Sequence, residues 1–257
     1  MFELNKDPDI TLVSDIGPEN RNALIIDNFY QNPDEVRQLA LDSPKYNKKD
    51  NPNLVTALPG TRVLVNDSNM RKNLEPFFYD LSQDNIWVRP FNKEWWDMNW
   101  DKSAFVCNVT RDITDCKTNP EGGIVPHQDS IDTHFGCVVY LNTPEECQGG
   151  TRIYSYDGIQ SFTAPPFYSA QEKREYLDGV FNSLLKGKEK NIDRVTYNKW
   201  VRDYVNDGIE DSLWKVELTF EMVYNRCILY ESDVMHSQYS DATMFLDHDR
   251  IAQVLFM

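Results

Sequence analysis

The sequence predicts a mainly β protein with flanking helices, arranged as a sandwich or jelly roll. Three observations carry this expectation. From Ala104 onward, short apolar runs follow one another with turns between them: AFVCNVT, FGCVVYLN, TRIYSY, WKVELTF, CILYES and RIAQVLFM. Many short strands in series are the pattern of two packed sheets or a closed barrel. Helical periodicity is confined to the first third of the chain and to the stretch between Tyr156 and Asp211. No Gly/Ser/Pro-rich linker divides the 257 residues. One domain is therefore expected over 1–257, with an N-terminal α/β flank at about 1–103 and a β core at about 104–257 that carries a helical insert at about 157–211.

In order along the chain, ALIIDNF (Ala23 to Phe29) reads as a short strand. Asn32-Pro33-Asp34-Glu35 then supplies a capping residue, a first-turn proline and two acids, and Val36, Leu39 and Ala40 continue at helical spacing. TRVLV (Thr61 to Val65) reads as a second strand. A second helix follows Ser68, with Met70, Leu74, Phe77, Phe78 and Leu81 on one face and Pro76 as a candidate kink. FNKEWWDMNW (Phe91 to Trp100) sets three tryptophans among charges, either as a pocket mouth or, more commonly, packed on a sheet. The insert keeps helical spacing at Tyr176, Leu177, Val180, Phe181, Leu184 and Leu185 and is rich in Lys and Arg, as a lid or as a packing element.

A hydrophobic share of 40% is enough for a substantial core. The net charge of −15 opposes binding to a polyphosphate backbone or an anionic membrane surface, so neither nucleic acid nor membrane is expected as a partner. It favours a neutral or cationic small-molecule or peptide substrate. The five cysteines include no CxxC pair, and Cys107, Cys137 and Cys227 lie in apolar runs, as buried free thiols of a reducing compartment do. The opening MFELNKDPDI has no apolar signal core and no apolar run reaches bilayer length, so a cytoplasmic location is expected.

Chemistry concentrates on two of the four histidines. GGIVPHQDS contains His127-Gln128-Asp129. Residues two apart on a strand share a face, so this triplet can offer an imidazole and a carboxylate to one metal. ILYESDVMHSQY offers His236 after an apolar strand and a turn. Two nitrogens and a carboxylate form the facial triad of non-haem Fe(II) oxygenases, which leaves open positions for a chelating co-substrate and for O2. Zinc also accepts two histidines and an acid. Arg250 opens the last apolar strand, where a guanidinium needs a planar anionic partner. Against these readings stand a solvated turn at His127 and Asp129, a strand-end histidine at His236, and a surface ion pair of Arg250 with Asp247 or Asp249.

The series His127-x-Asp129, His236, Arg250 resembles the motif order of the Fe(II)/2-oxoglutarate oxygenase superfamily, and its prolyl-4-hydroxylase-like branch in particular. Val138 to Asn142 (VVYLN) is similar to the strand after H-x-D there. Gln148 to Tyr154 (QGGTRIY) resembles the branch's glycine turn and next strand, and Asn225 to Glu231 (NRCILYE) the hairpin before the distal histidine. The resemblance spans about 104–257 without the insert. It implies a double-stranded β-helix of cupin-like jelly-roll form, with Fe(II) on His127, Asp129 and His236 as the catalytic and metal residues. It also implies that Arg250 binds the C5 carboxylate of 2-oxoglutarate, the co-substrate, with Tyr140 and Asn108 beside it. The implied reaction is hydroxylation of a C–H bond of a peptide, amino-acid-like or small-molecule substrate by O2, releasing succinate and CO2. Arg250 stands where many members of the branch use lysine. Asp129 stands where related halogenases carry a small residue, so halogenation is not implied.

Arg152, His134 and His248 are secondary candidates, the first for a pocket role and the others for structural or surface ones. Three competing functions keep parts of this reading. A cupin-like isomerase or binding protein would hold another divalent metal without redox chemistry. A zinc hydrolase would activate water, although no HExxH occurs. An interaction protein would carry the triad as a relic.

Overall fold

The computed structural model describes residues 1–45, 60–65, 68–88, 100, 103–109, 126–129, 133–156, 158, 160, 214–241 and 243–257. The tryptophan-rich segment 91–99, Cys116 and nearly all of the expected helical insert lie outside the described residues.

The described elements are β1 (Asp9–Ile16), β2 (Arg21–Asp27), α1 (Pro33–Asp42), β3 (Thr61–Leu64), α2 (Ser68–Ser82), β4 (Ala104–Asn108), β5 (Phe135–Tyr140), β6 (Gly150–Tyr156), β7 (Trp214–Glu221), β8 (Cys227–Glu231), β9 (His236–Tyr239) and β10 (Arg250–Phe256). The fold is mainly β with few helices. One sheet runs β1-β2-β8-β5-β10-β4-β3 and the other β7-β6-β9. Every pairing is antiparallel. The apolar runs read from sequence become β4 to β8 and β10. The N-terminal flank is not a separate layer, because β1, β2 and β3 complete both edges of the larger sheet.

Strand alternation divides the apolar side chains of the large sheet between two faces. Leu24, Cys107, Cys137, Leu229, Ile251 and Leu255 face one side, where Val36 and Ala40 of α1 and Met70, Leu74 and Phe78 of α2 cover them. Ala23, Val138, Tyr140, Ile228, Tyr230 and Ala252 face the other side, against Ile153 of β6 and Phe220 of β7. The larger sheet is thus sandwiched between helices and the smaller sheet. The site lies on the sheet-to-sheet side.

The helices form for the reasons the sequence supplies, with one correction. Pro33 sits in the first turn with Asp34 and Glu35, but the Asn32 side chain makes no capping hydrogen bond. Helix α2 continues through Pro76, whose side chain is exposed. Trp100 is fully buried in the helix-side core, a packing residue and not part of a pocket mouth. Strand β1 has no counterpart among the predicted strands. Its Ile10 and Leu12 alternate with Asp9 and Thr11, yet seven of its eight residues are exposed or half-buried, so the alternation marks no core-facing side. Cys107, Cys137 and Cys227 are buried free thiols, as expected. No helix among the described residues is long and apolar enough to cross a membrane.

Candidate metal centre

The distal histidine is placed by a turn that a buried arginine holds. Arg21, at the start of β2, donates to Glu231 at 2.9 Å and to Asp233 at 3.1 Å, and pairs with Glu19 at 3.1 Å. Burial pushes its guanidinium down, but these three carboxylates outweigh burial and raise it. Glu231 ends β8, and the chain turns at Ser232–Met235 to begin β9 with His236. The His236 Nδ1–H donates to the Val234 carbonyl at 2.9 Å. That bond fixes the tautomer and leaves Nε2 with a lone pair for a metal, the orienting device that metal-bound histidines ordinarily use.

The H-x-D triplet is stitched to the same turn. His127 and His236 form an isolated antiparallel bridge, with the His127 N–H donating to the His236 carbonyl at 2.9 Å and the return bond at 2.8 Å. The Asp129 N–H donates to the Ser232 carbonyl at 3.0 Å, and the Gln128 side chain donates to the Asp233 carbonyl. His127 and Asp129 therefore share one face because Gln128 turns away to the Asp233 backbone.

One donor atom from each of His127, Asp129 and His236 lies within 4.8 Å of the other two. The His236 Nε2 is 3.5 Å from Asp129 Oδ1, and the two imidazole centroids are 4.6 Å apart. Donors about 2.1 Å from one ion sit roughly 3 Å apart when adjacent, so the triad is close to bonding distance as it stands. Asp129 Oδ2 is buried and accepts no hydrogen bond among the described residues. Burial pushes the Asp129 carboxyl up, but His236, His127 and Arg62 outweigh it and hold the group low. Burial pushes the His236 ring down and the facing carboxylate more than restores it. Two imidazoles aimed at one carboxylate with an orphaned oxygen fit a divalent metal.

Gly136 makes room for this carboxylate. A Cβ there would lie 2.5 Å from Asp129 Oδ2 and 2.8 Å from the Tyr230 ring. The requirement is for space, since this glycine does not need a positive φ.

Arg250 lies in the same pocket as His127, Asp129, His236, Thr151 and Val254. It is 4% exposed, and its side chain has neither hydrogen bond nor ion pair among the described residues. The expected competitor Asp249 is taken by Lys45 at 3.1 Å. Burial pushes the guanidinium down from its ordinary value, and no carboxylate among the described residues offsets it. Asn108 stands directly across the β4–β10 ladder from Arg250. It is fully buried, and both its amide oxygen and nitrogen are unpartnered among the described residues. Tyr140 packs its ring 5.7 Å from the Arg250 guanidinium and donates its hydroxyl to Thr151 Oγ1 at 2.8 Å. Burial pushes that phenol up to about 12, so it stays protonated. Its donor is committed to Thr151, which in turn keeps one O–H to offer the pocket.

The secondary candidates fall outside the metal cluster. Arg152 stacks on the Tyr239 ring at 3.5 Å. His134 is buried in the core at 2% exposure, and His248 sits 3.3 Å from the Glu146 carbonyl. Sequence reasoning passed over Arg21, Gly136 and Arg62, all of which touch the site's geometry or electrostatics. The available signal for both arginines was a cation at or inside an apolar strand, Arg21 before ALII and Arg62 within TRVLV.

Neither the curated proteins nor the solved structures include a match to this chain. A family model does match, over residues 7–251. That span takes in β1 to β9, the three metal-ligand candidates and Arg250, and on this match the chain belongs to the family of unknown function DUF6445.

Proposed function

We propose that this chain is an Fe(II)- and 2-oxoglutarate-dependent oxygenase on a double-stranded β-helix. It would hydroxylate a C–H bond of a small-molecule or peptide substrate. One observation carries the reading: a two-histidine, one-carboxylate cluster shares its pocket with a buried guanidinium that has no partner among the described residues. A metal site for hydrolysis or isomerisation has no need of that arginine. A chelating 2-oxo acid with a distal carboxylate needs both.

His127, Asp129 and His236 would hold the iron. Arg250 would pair with the C5 carboxylate of 2-oxoglutarate. The unpartnered amide of Asn108 is placed to donate to the same carboxylate, with the Tyr140 ring as a wall. Bound there, the metal would supply oxygen activation coupled to conversion of 2-oxoglutarate to succinate and CO2. Val106, Val138 and Val254 line the pocket and exclude water from it, which strengthens each of these charged contacts.

The test is an anaerobic titration with Fe(II) and then 2-oxoglutarate, read by the weak visible charge-transfer band of the chelate. A band that is present in the wild type and absent in His127→Ala supports the proposal. Iron binding without a band would sink it in favour of a cupin-like, non-redox metal protein. Failure to bind iron would sink it in favour of another metal or a relic site.

A further inference from the structure

Three arginines are buried among the described residues: Arg21, Arg62 and Arg250. Arg21 has its three carboxylates. Arg250 has the co-substrate as its proposed partner. Arg62 has neither. It is 5% exposed, its Nε and Nη2 are buried without a hydrogen-bond acceptor, and no ion pair reaches it among the described residues. A cation taken out of water without a counter-ion is a poor structural choice, and a short apolar side chain would pack this strand better.

The placement of Arg62 connects it to the pocket. It lies on β3, the end strand of the large sheet, opposite Val106 of β4, which itself lies opposite Ala252 of β10. Directly paired residues share a face, so Arg62 projects to the same side as Val106, Val254 and Arg250, which line the pocket. Asp129 is the one acid among the described residues that acts on it electrostatically. Arg250 feels Tyr140, Tyr230 and Cys107 instead. The two arginines stand on strands separated by β4, and the charge of Arg62 is the one that interacts with the metal carboxylate. Asp129 makes no ion pair with Arg62 among the described residues; its Oδ1 faces His236 at 3.5 Å. Burial lowers the Arg62 guanidinium to about 10, which leaves it charged at neutral pH.

We propose that Arg62 is a second carboxylate socket, serving the substrate that is oxidised, and that this substrate is a small organic acid, amino acids included. The inference rests on the oxygenase reading for its division of labour: one distal carboxylate goes to Arg250 and one to Arg62. It reverses the expectation from the acidic net charge, because a buried cation on the sheet face that carries the pocket outweighs a diffuse and screened surface field at contact distance.

The test uses Mn(II) as a redox-inert, paramagnetic metal, saturating 2-oxoglutarate, and 13C-acetate as the probe carboxylate. The readout is metal-enhanced relaxation of the acetate signal. In the wild-type ternary complex, acetate should bind saturably and relax. In Arg62→Met its affinity should fall tenfold or more, with 2-oxoglutarate affinity unchanged. Arg62→Lys should recover part of the acetate binding, and thermal melts establish that both variants fold. Acetate relaxed equally in wild type and Arg62→Met means it sits on the metal alone, and that overturns the proposal. So does an Arg62→Met variant that loses 2-oxoglutarate instead. If the wild-type Mn(II) protein does not bind 2-oxoglutarate, the oxygenase reading fails. The Arg62 site is then judged on acetate binding to the Mn(II) protein alone, where the same loss in Arg62→Met upholds it and no loss overturns it.

Discussion

Gly136→Ala places one methyl group between β5 and the metal carboxylate, and its effect can be worked from the geometry. The new Cβ would stand 2.5 Å from Asp129 Oδ2 and 2.8 and 2.9 Å from two Tyr230 ring atoms. Both neighbours are constrained. Tyr230 is 3% exposed and its ring lies 4.6 Å from that of His236, while the Asp129 backbone is bonded to Ser232. Overpacking of this kind costs about 1–3 kcal/mol. Loss of glycine's unfolded-state freedom returns about 0.4–1 kcal/mol at a position without positive φ. The net destabilisation is therefore about 0–2.5 kcal/mol, a fall in Tm of up to about 10 °C for a chain of this size. The larger effect should be on the metal. The Asp129 side chain is the part that can rotate away, and losing its alignment should weaken Mn(II) or Fe(II) binding by about 10–100-fold, or roughly 1.4–2.8 kcal/mol. Metal titration followed by melts with and without metal separates the two effects, because metal protection shrinks with affinity. A Gly136→Ala protein that binds metal as tightly as wild type would refute the reasoning, whatever its Tm.

Arg250→Met should weaken 2-oxoglutarate by at least about 30-fold, from the loss of charge-assisted bonds worth roughly 2 kcal/mol, and leave metal affinity unchanged; equilibrium titration of both ligands checks it. Arg62→Met should raise the Tm of the metal-free protein at neutral pH, because a guanidinium lowered to about 10 by burial carries a penalty of up to about 3 kcal/mol. That penalty is fully present below pH 10 and fades as the pH rises toward the ordinary guanidinium value, so the melting advantage of Arg62→Met should shrink in alkali. Arg21→Met strands the buried Glu231 and should destabilise by about 3–5 kcal/mol. It should also weaken metal binding, since the turn carrying His236 loses its anchor; chemical denaturation and metal titration measure the two losses.

The strands were legible where apolar residues are consecutive or alternate, which is why AFVCN, FGCVVY, CILYE and RIAQVLF became β4, β5, β8 and β10. Buried on both faces, they leave a continuous apolar signal. Strand β1 left none, because its DITLVSDI side chains mostly face solvent and pairing with β2 alone defines it. The ligands His127, Asp129 and His236 could be named because metal chemistry restricts residue type. Their closeness could not be derived from spacing, since it depends on an isolated two-residue bridge and on the β8–β9 turn. Gly136 was invisible for a related reason, and Arg21 showed only as a cation beside an apolar strand. What each does is defined only by a partner far away in sequence, Asp129 Oδ2 for one and Glu231 for the other.

Arg62 and Arg250, without ion pairs among the described residues, show why charge must be read locally as well as in sum. A net charge of −15 sets the field at long range, where salt screens it within about 8 Å at physiological ionic strength. Arg62 and Arg250 are shielded from that solvent by the same burial that strips them of water. Their field is therefore weakly screened, Arg250 acting from the pocket lining and Arg62 on the carboxylate that the metal would neutralise. With metal bound, Asp129 no longer offers Arg62 its full negative charge. The metal-loaded pocket is then more cationic than the empty one, and each anion that binds relieves a penalty already present in the folded protein. Metal first and anions afterwards is the binding order expected from this electrostatic arrangement, and the proposed oxygenase would use the same order.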